Sequence, residues 1–169
     1  MNSRLYQIAK RKPEVRQGFL EDVDFEEHAP FVGSIEYIKN IHGNIMSVTF
    51  PLIDISNLST VKVSNMAFDR FSYDDFYNSL VHHEGFHTTD WRNNTEVGDW
   101  IQGKKLRAWT YLLGTMLGLK KFKGDGIQRE IRAYENQIKH ESFSRCSEGW
   151  QKEVHKRLGI YQEGLQKLT

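Results

Sequence analysis

The run His83-Glu84-Gly85-Phe86-His87 contains two histidines and a glutamate, at a spacing found in metal-binding sites. Residues four apart lie on the same face of an α-helix, so the imidazoles of His83 and His87 can bind one Zn²⁺. Glu84 then lies next to the ion without binding it, where it can accept a proton from a water that the ion activates. The run therefore predicts a zinc site with hydrolytic chemistry.

The segment that carries this run has the features of a helix. Ser72 is a suitable N-cap, two aspartates after it favour the first turn, and no proline interrupts the stretch from Tyr73 to Thr89. Apart from His82, the residues that flank the metal-binding positions are uncharged. A helix would turn His82 about 100° away from His83, which favours a supporting or surface role for it.

A catalytic zinc site needs a third protein ligand and an open position for water. Cys146 is the only cysteine, so internal disulfides and zinc sites built from several thiolates are excluded. The best candidate is Glu130, on a helix predicted from Ile127 to Phe143, with the small Ala133 one turn on to let the two helices approach. Three other residues of the same segment remain alternative ligands: Glu135, His140 and Glu141.

Together the two segments resemble the gluzincin branch of the zincin metallopeptidases, in which a helix with a glutamate, often as Glu-x-x-Ala, follows the HExxH helix. The matching residues are Leu80 to Thr89 and Glu130 to Tyr134, and the chain looks most like small, divergent bacterial zinc peptidase domains. The metzincin pattern is excluded, because Asp90 and Asn93 stand where it has glycine and histidine. The resemblance implies a zincin-like fold, a bound zinc ion and a peptide or protein substrate.

The sequence departs from the larger gluzincins at Tyr134, where an aspartate that steadies one histidine often stands. A zinc-bound imidazole normally donates its other N–H group to a carboxylate or a carbonyl. In this chain Asp90, Asp99 or a backbone carbonyl would have to accept that hydrogen bond.

The predicted mechanism gives each residue a role. Glu84 accepts the proton of the attacking water and delivers it to the leaving amine. Tyr134 or His140 donates a hydrogen bond to the oxyanion of the tetrahedral intermediate. An extended substrate pairs with the edge of the sheet, for which Thr60 to Met66 is the natural candidate.

Composition narrows the classes of function. The 169 residues fit one domain, and a formal net charge of +1 argues against a protein built mainly to hold nucleic acid. No apolar run approaches the roughly 20 residues that cross a bilayer, and the chain start lacks the apolar segment of a secretory signal. We therefore expect no membrane partner, while cytoplasmic and non-classically exported locations both fit. The oligomeric state is left open.

The predicted fold is α+β. Residues 1–30 are expected to form an irregular arm with one short helix, followed by a small antiparallel sheet of about three strands. Ser34 to Lys39 and Ile45 to Phe50 have strand-like content, and the His42-Gly43-Asn44 run between them is typical of a hairpin turn. Thr60 to Met66 alternates as a half-buried third strand does, and the histidine helix follows it.

The rest of the chain is predicted to be a helical bundle. A loop from Trp91 to Trp100 leads into helices over Gln102–Lys120, Ile127–Phe143 and Glu148–Leu168, with a basic turn at Lys120–Gly126. A non-catalytic module that docks a partner through this aromatic half is the alternative to the enzyme. Nucleic-acid binding through the run Lys120–Lys123 and Arg129 is the weakest hypothesis, because cations at a helix end usually stabilise its dipole.

Overall fold

A computed structural model describes residues 3–25, 28–39, 45–49, 58–94, 117 and 120–168. The described part is α+β and mostly helical, with one small sheet. Its helices and strands are α1 (Ser3–Arg11), α2 (Arg16–Glu21), β1 (Val32–Ile38), β2 (Met46–Thr49), β3 (Ser59–Ser64), α3 (Asn65–Arg70), α4 (Tyr73–Tyr77), a π-helix (Asn78–Glu84), α5 (Gly85–Asn94), α6 (Lys120–Lys139) and α7 (Glu148–Gln166), with 3₁₀ turns at Pro13–Val15 and Glu141–Arg145.

The sheet has three strands in the order β1-β3-β2. The α+β class and the strand number are confirmed, but the fully antiparallel sheet is wrong, because β1 pairs parallel to β3 and only β2 pairs antiparallel to it. The hairpin between the first two strands is also wrong, since β3 lies between them. Its predicted turn at residues 42–44 lies outside the described residues.

The N-terminal segment is an integral part of the core, and the prediction of an irregular arm is wrong. Tyr6 and Ala9 of α1 and Leu20 of α2 are completely buried. The Tyr6 ring packs among aromatic rings of α3 and α4, and its hydroxyl donates to the carbonyl of Phe71 at 2.9 Å. Arg16, also buried, donates from its guanidinium to the carbonyl of Ala9. These contacts bind α2 to α1 and α1 to the helices after the sheet.

The C-terminal residues that the structure describes, 120–168, are helical, as predicted, with different boundaries. The predicted basic turn at Lys120–Gly126 is wrong, because α6 begins at Lys120 and runs through both glycines to Lys139. The predicted last helix, Glu148–Leu168, is confirmed almost to the residue as α7. The predicted Gln102–Lys120 helix lies almost entirely outside the described residues. No helix within the described ranges is both long and apolar enough to span a bilayer.

The histidine helix begins where the sequence predicts. Ser72 caps α4 by accepting from the backbone N–H of Asp75, and Asp75 accepts in return from the backbone N–H of Ser72. The same carboxylate accepts from the backbone N–H and the hydroxyl of Ser147, at 2.8 and 2.9 Å, just before α7. One aspartate thus fixes the starts of two helices against each other.

A π-helical segment interrupts the histidine helix between α4 and α5, where the sequence predicts regular helix. The backbone N–H of Gly85 closes this segment by donating to the carbonyl of Leu80, five residues earlier. The segment ends at Glu84, so His83 lies in the wide turns and His87 in the regular helix. Widened turns of this kind occur frequently at functional sites. Regular helix then continues to Asn94, past the predicted start of the loop at Trp91.

Gly85 lies close to the segment before the sheet. A Cβ atom built on Gly85 would be 2.8 Å from the Cβ of Ala29 and 3.5 Å from a ring carbon of Phe25. Ala29 is completely buried, and its methyl group has no flexible end that could move aside. Packing therefore favours glycine at the middle position of the HExxH run.

We expect Gly85→Ala to destabilise the fold by about 1–3 kcal/mol, the usual cost of forcing an extra carbon into a packed core. Gly159→Ala is the matched control, because a Cβ there meets nothing within 4 Å and alanine favours helix by about 1 kcal/mol. Urea unfolding of both variants measures the difference. Equal stability in the two variants would contradict the close contact with Ala29.

Candidate metal centre

Two histidines and one glutamate meet where the histidine helix crosses α6. One oxygen of Glu130 lies 3.6 Å from His83 Nε2, and the other lies 3.5 Å from His87 Nε2. One ligand atom from each of the three residues lies within 4.8 Å of the other two. The structure therefore brings together the two histidines and the glutamate that the sequence selects.

The separations between these atoms suit ligands that share an ion. Distances of 3.5 and 3.6 Å between nitrogen and oxygen are too long for good hydrogen bonds, which lie between about 2.7 and 3.2 Å. Two ligands of a tetrahedral zinc ion with bonds of about 2.0–2.2 Å stand about 3.3–3.5 Å apart. One carboxylate and two imidazoles are also a donor set that zinc accepts in catalytic sites.

His87 and Glu130 are in the protonation states that bind a metal. Burial, followed by the neighbouring His83, lowers the pKa of His87 to about 4 although Glu130 and Asp90 oppose the shift, so the imidazole is neutral near pH 7. Burial raises the pKa of Glu130, but the two histidines and Arg129 outweigh it, and the pKa lies below its ordinary value. The carboxylate is therefore charged, and its side chain keeps 33% of its surface exposed.

Glu84 differs electrostatically from Glu130. Burial raises its pKa to about 7, with Glu130 raising it and His83 lowering it. Its carboxylate borders the same cleft as the histidines without belonging to their cluster. A carboxyl group with a pKa near the working pH is suited to accept a proton and release it again.

The cluster opens into a cleft of about 470 Å³ between the sheet and the C-terminal helices. One wall is formed by β2 and the residue before it, and the opposite wall by α6 and α7. Besides the cluster and Glu84, the lining includes the β2 side residues Ile45, Met46, Ser47 and Val48, the cations Arg70, Arg129 and Arg157, and the aromatic residues Trp150, Tyr134 and Tyr161.

Tyr134 lies directly behind the first histidine. Its ring centroid is 4.3 Å from that of His83, and only 5% of its surface is exposed. Burial raises the pKa of Tyr134 to about 12, although Arg157 lowers it in part, so the phenol keeps its proton. The structure therefore places the ring of a protonated tyrosine beside His83.

Arginines of the cleft are functional candidates that sequence reasoning missed. Arg157 of α7 is held by Glu153 at 2.7 Å and borders the cleft near Tyr134. Arg129 lies with its guanidinium 5.2 Å from the centre of the Trp91 ring. Single arginines on a helix resemble solvated residues in sequence, and only the crossing of helices shows which of them face the cleft.

Asp90, proposed from the sequence to steady a histidine, forms an ion pair with Arg132 of α6. Its carboxylate is buried and forms two hydrogen bonds with the Arg132 guanidinium, at 2.7 and 2.8 Å. His83 Nδ1 is buried and accepts or donates no hydrogen bond within the described part of the chain. The second possibility, Asp99, lies outside the described residues.

The alternative ligands do not join this cluster. His140 lies elsewhere, with His28 and His82, and neither Glu135 nor Glu141 belongs to a candidate metal cluster of the described residues. His82 is not on the surface but buried, with 2% of its surface exposed. Burial, followed by its neighbours His140 and His28, lowers the pKa of His82 to about 3.

Comparisons of this chain with protein-family models, with curated proteins and with solved structures find no match.

Proposed function

We propose that this chain is a zinc-dependent metallopeptidase that hydrolyses peptide bonds. The observation that carries the proposal is the meeting of His83, His87 and Glu130 at distances suited to one ion, with Glu84 on the same cleft. Two histidines and a carboxylate leave a fourth position open for chemistry. A glutamate without metal contacts next to the first histidine is the acid–base group that such a site needs.

When bound, Zn²⁺ would supply a Lewis acid that polarises the scissile carbonyl and acidifies water. Glu84 accepts the proton of the attacking water and passes it to the leaving nitrogen. Its raised pKa, near 7, matches both transfers. Tyr134 keeps its proton at neutral pH and donates a hydrogen bond to the developing oxyanion.

An extended substrate fits along β2. The sequence suggested Thr60–Met66 for this role, which is wrong, because β3 hydrogen-bonds to strands on both sides and has no free edge. Within the described sheet β2 is an edge strand, and Met46, Ser47 and Val48 line the cleft. Main-chain pairing with such an edge would hold a peptide in extended form beside the zinc ligands.

Glu130→Gln tests the metal ligands. The substitution keeps the shape but removes the charge, so we expect one zinc ion fewer per chain and an affinity loss larger than the roughly 10–100-fold that outer-shell changes cause. Glu135→Gln, on the same helix but outside the cluster, is the matched control and should keep the ion. Elemental analysis of the dialysed proteins and hydrolysis of a labelled unfolded protein are the measurements.

The outcomes distinguish the two candidate functions. Loss of zinc and of hydrolysis in Glu130→Gln and His87→Ala, but not in Glu135→Gln, supports the enzyme. Zinc retained at full stoichiometry by Glu130→Gln would refute the ligand assignment. A wild-type chain that binds no zinc at this cluster, even with zinc added, would favour the partner-docking module instead.

A further inference from the structure

A second group of potential metal ligands lies apart from the first cluster, and it consists only of histidines. His28, His82 and His140 come from three separate parts of the chain: the segment before β1, the π-helix and the end of α6. Their ring centroids are 3.4 Å apart for His82–His140, 4.9 Å for His28–His82 and 5.2 Å for His28–His140. One ring nitrogen from each lies within 4.8 Å of the other two.

His82 is the buried member of this three-histidine cluster. Only 2% of its surface is exposed, and its Nε2 atom is buried with no hydrogen-bond partner. A buried polar atom without a partner costs free energy, and native proteins satisfy nearly all of them. The rings around His82 are those of His28, His140 and Tyr77. A ligand held within the cluster would give this nitrogen its partner.

The ligand that fits is a cation that prefers imidazole. The cluster contains no carboxylate and no thiolate, which disfavours calcium and magnesium. Zinc, nickel and copper bind neutral imidazole well, and three histidines with an open fourth position are a known zinc geometry.

The surroundings of His140 can adjust to such an ion. Its Nδ1 accepts from the backbone N–H of Ser142 at 3.2 Å, and the Ser142 hydroxyl oxygen lies 3.0 Å from the same nitrogen. The tautomer with a proton on Nδ1 gives up the bond from the Ser142 N–H, donates instead to that hydroxyl, and leaves Nε2 for the metal. The His140 ring stacks on His82 at an angle of 19°, so one ring must turn to share the ion.

We propose that His28, His82 and His140 form a second site that binds one divalent transition-metal ion such as Zn²⁺. An ion there would cross-link the segment before the sheet, the histidine helix and the end of α6. Ala29, next to His28, packs on Gly85, and His82 is next to His83 in sequence. The site would therefore hold in place the helix turn that carries the first zinc ligand. The second site uses different residues from the proposed catalytic centre.

Zinc stoichiometry of the full chain separates the two sites. By calorimetric titration and elemental analysis we expect two ions in the wild type, one in His28→Ala, one in His87→Ala and none in the double variant. His28 is partly exposed, so its replacement should leave the fold intact, which circular dichroism checks. His155→Ala is the matched control, since His155 packs edge-on against Phe143, outside both clusters, and should keep two ions.

Each pattern of results has one meaning. A wild type with one ion that His87→Ala loses and His28→Ala keeps would overturn the second site and leave the catalytic one. A wild type with one ion that His28→Ala loses and His87→Ala keeps would support the second site and refute the catalytic one. His140→Ala gives an independent check and should also bind one zinc ion fewer than the wild type. If this variant still bound two zinc ions, the proposal would be overturned.

Discussion

Glu84→Gln is expected to lower peptide hydrolysis by about 10²–10⁴-fold, the contribution of one positioned acid–base group. The amide has the shape of the carboxyl group but cannot take a proton from the attacking water. Because Glu84 does not belong to the cluster of His83, His87 and Glu130, we expect the zinc content to stay unchanged. The rate of cleavage of a labelled unfolded protein and elemental analysis are measured on the same sample.

Glu141→Gln is the control for this substitution, because Glu141 is exposed and lies outside both histidine clusters. It should hydrolyse the substrate at the wild-type rate. If Glu84→Gln kept its zinc and remained within tenfold of the wild type, Glu84 would not be the base. If it lost the zinc, Glu84 would belong to the metal ligands, and the acid–base role would have to pass to another residue.

The sequence predicts most of the candidate centre because its signal is local. His83 and His87 are four residues apart, and a helix of either α or π character keeps them close, with ring centroids 4.9 Å apart. The cap at Ser72 follows from hydroxyl and carboxylate chemistry within one turn. Glu130 is harder to predict, because it lies on a separate helix. It could be selected because Ala133, which the structure buries completely, marks the side of α6 that packs inward.

Strand pairing could not be predicted in the same way. A hairpin was the natural prediction because β1 and β2 are consecutive and a glycine-containing run lies between them. Parallel pairing of β1 with β3 depends on contacts between distant parts of the chain. Hydrophobic alternation identifies a strand, but it does not show with which other strand it pairs. The choice of β3 as the substrate edge was wrong for the same reason. Strand content can be read from a single sequence, but strand order cannot.

The three-histidine cluster had no sequence signal at all. His28, His82 and His140 have no ligand spacing among them, and only the packing of α6 and of the segment before β1 on the histidine helix brings them together. The N-terminal helices did leave a weak signal, since Tyr6 and Ala9 are three residues apart and both face the core. Helices this short have too few turns for a periodic pattern to stand out from irregular structure.

Arg132→Met is expected to destabilise the fold by about 3 kcal/mol, the lower end of the cost of removing one partner from a buried ion pair. The Asp90 side chain is completely buried, and without the guanidinium its charge would lose two hydrogen bonds of 2.7 and 2.8 Å. Arg132 keeps 34% of its side chain exposed, so its own desolvation is modest. Methionine keeps the apolar stem, which limits the effect to the lost charge.

The surface pair of Arg145 and Asp74 provides the control. Its atoms are 3.5 Å apart and its side chains are 55% and 36% exposed, so Arg145→Met should cost less than about 1 kcal/mol. Urea unfolding compares the two variants. Asp90 follows His87 by one turn of α5, so Arg132→Met should also weaken zinc binding, whereas Arg145→Met should not. Equal losses of stability would mean that Asp90 finds another counter-charge, and the Asp90–Arg132 pair would then not be what holds α5 against α6.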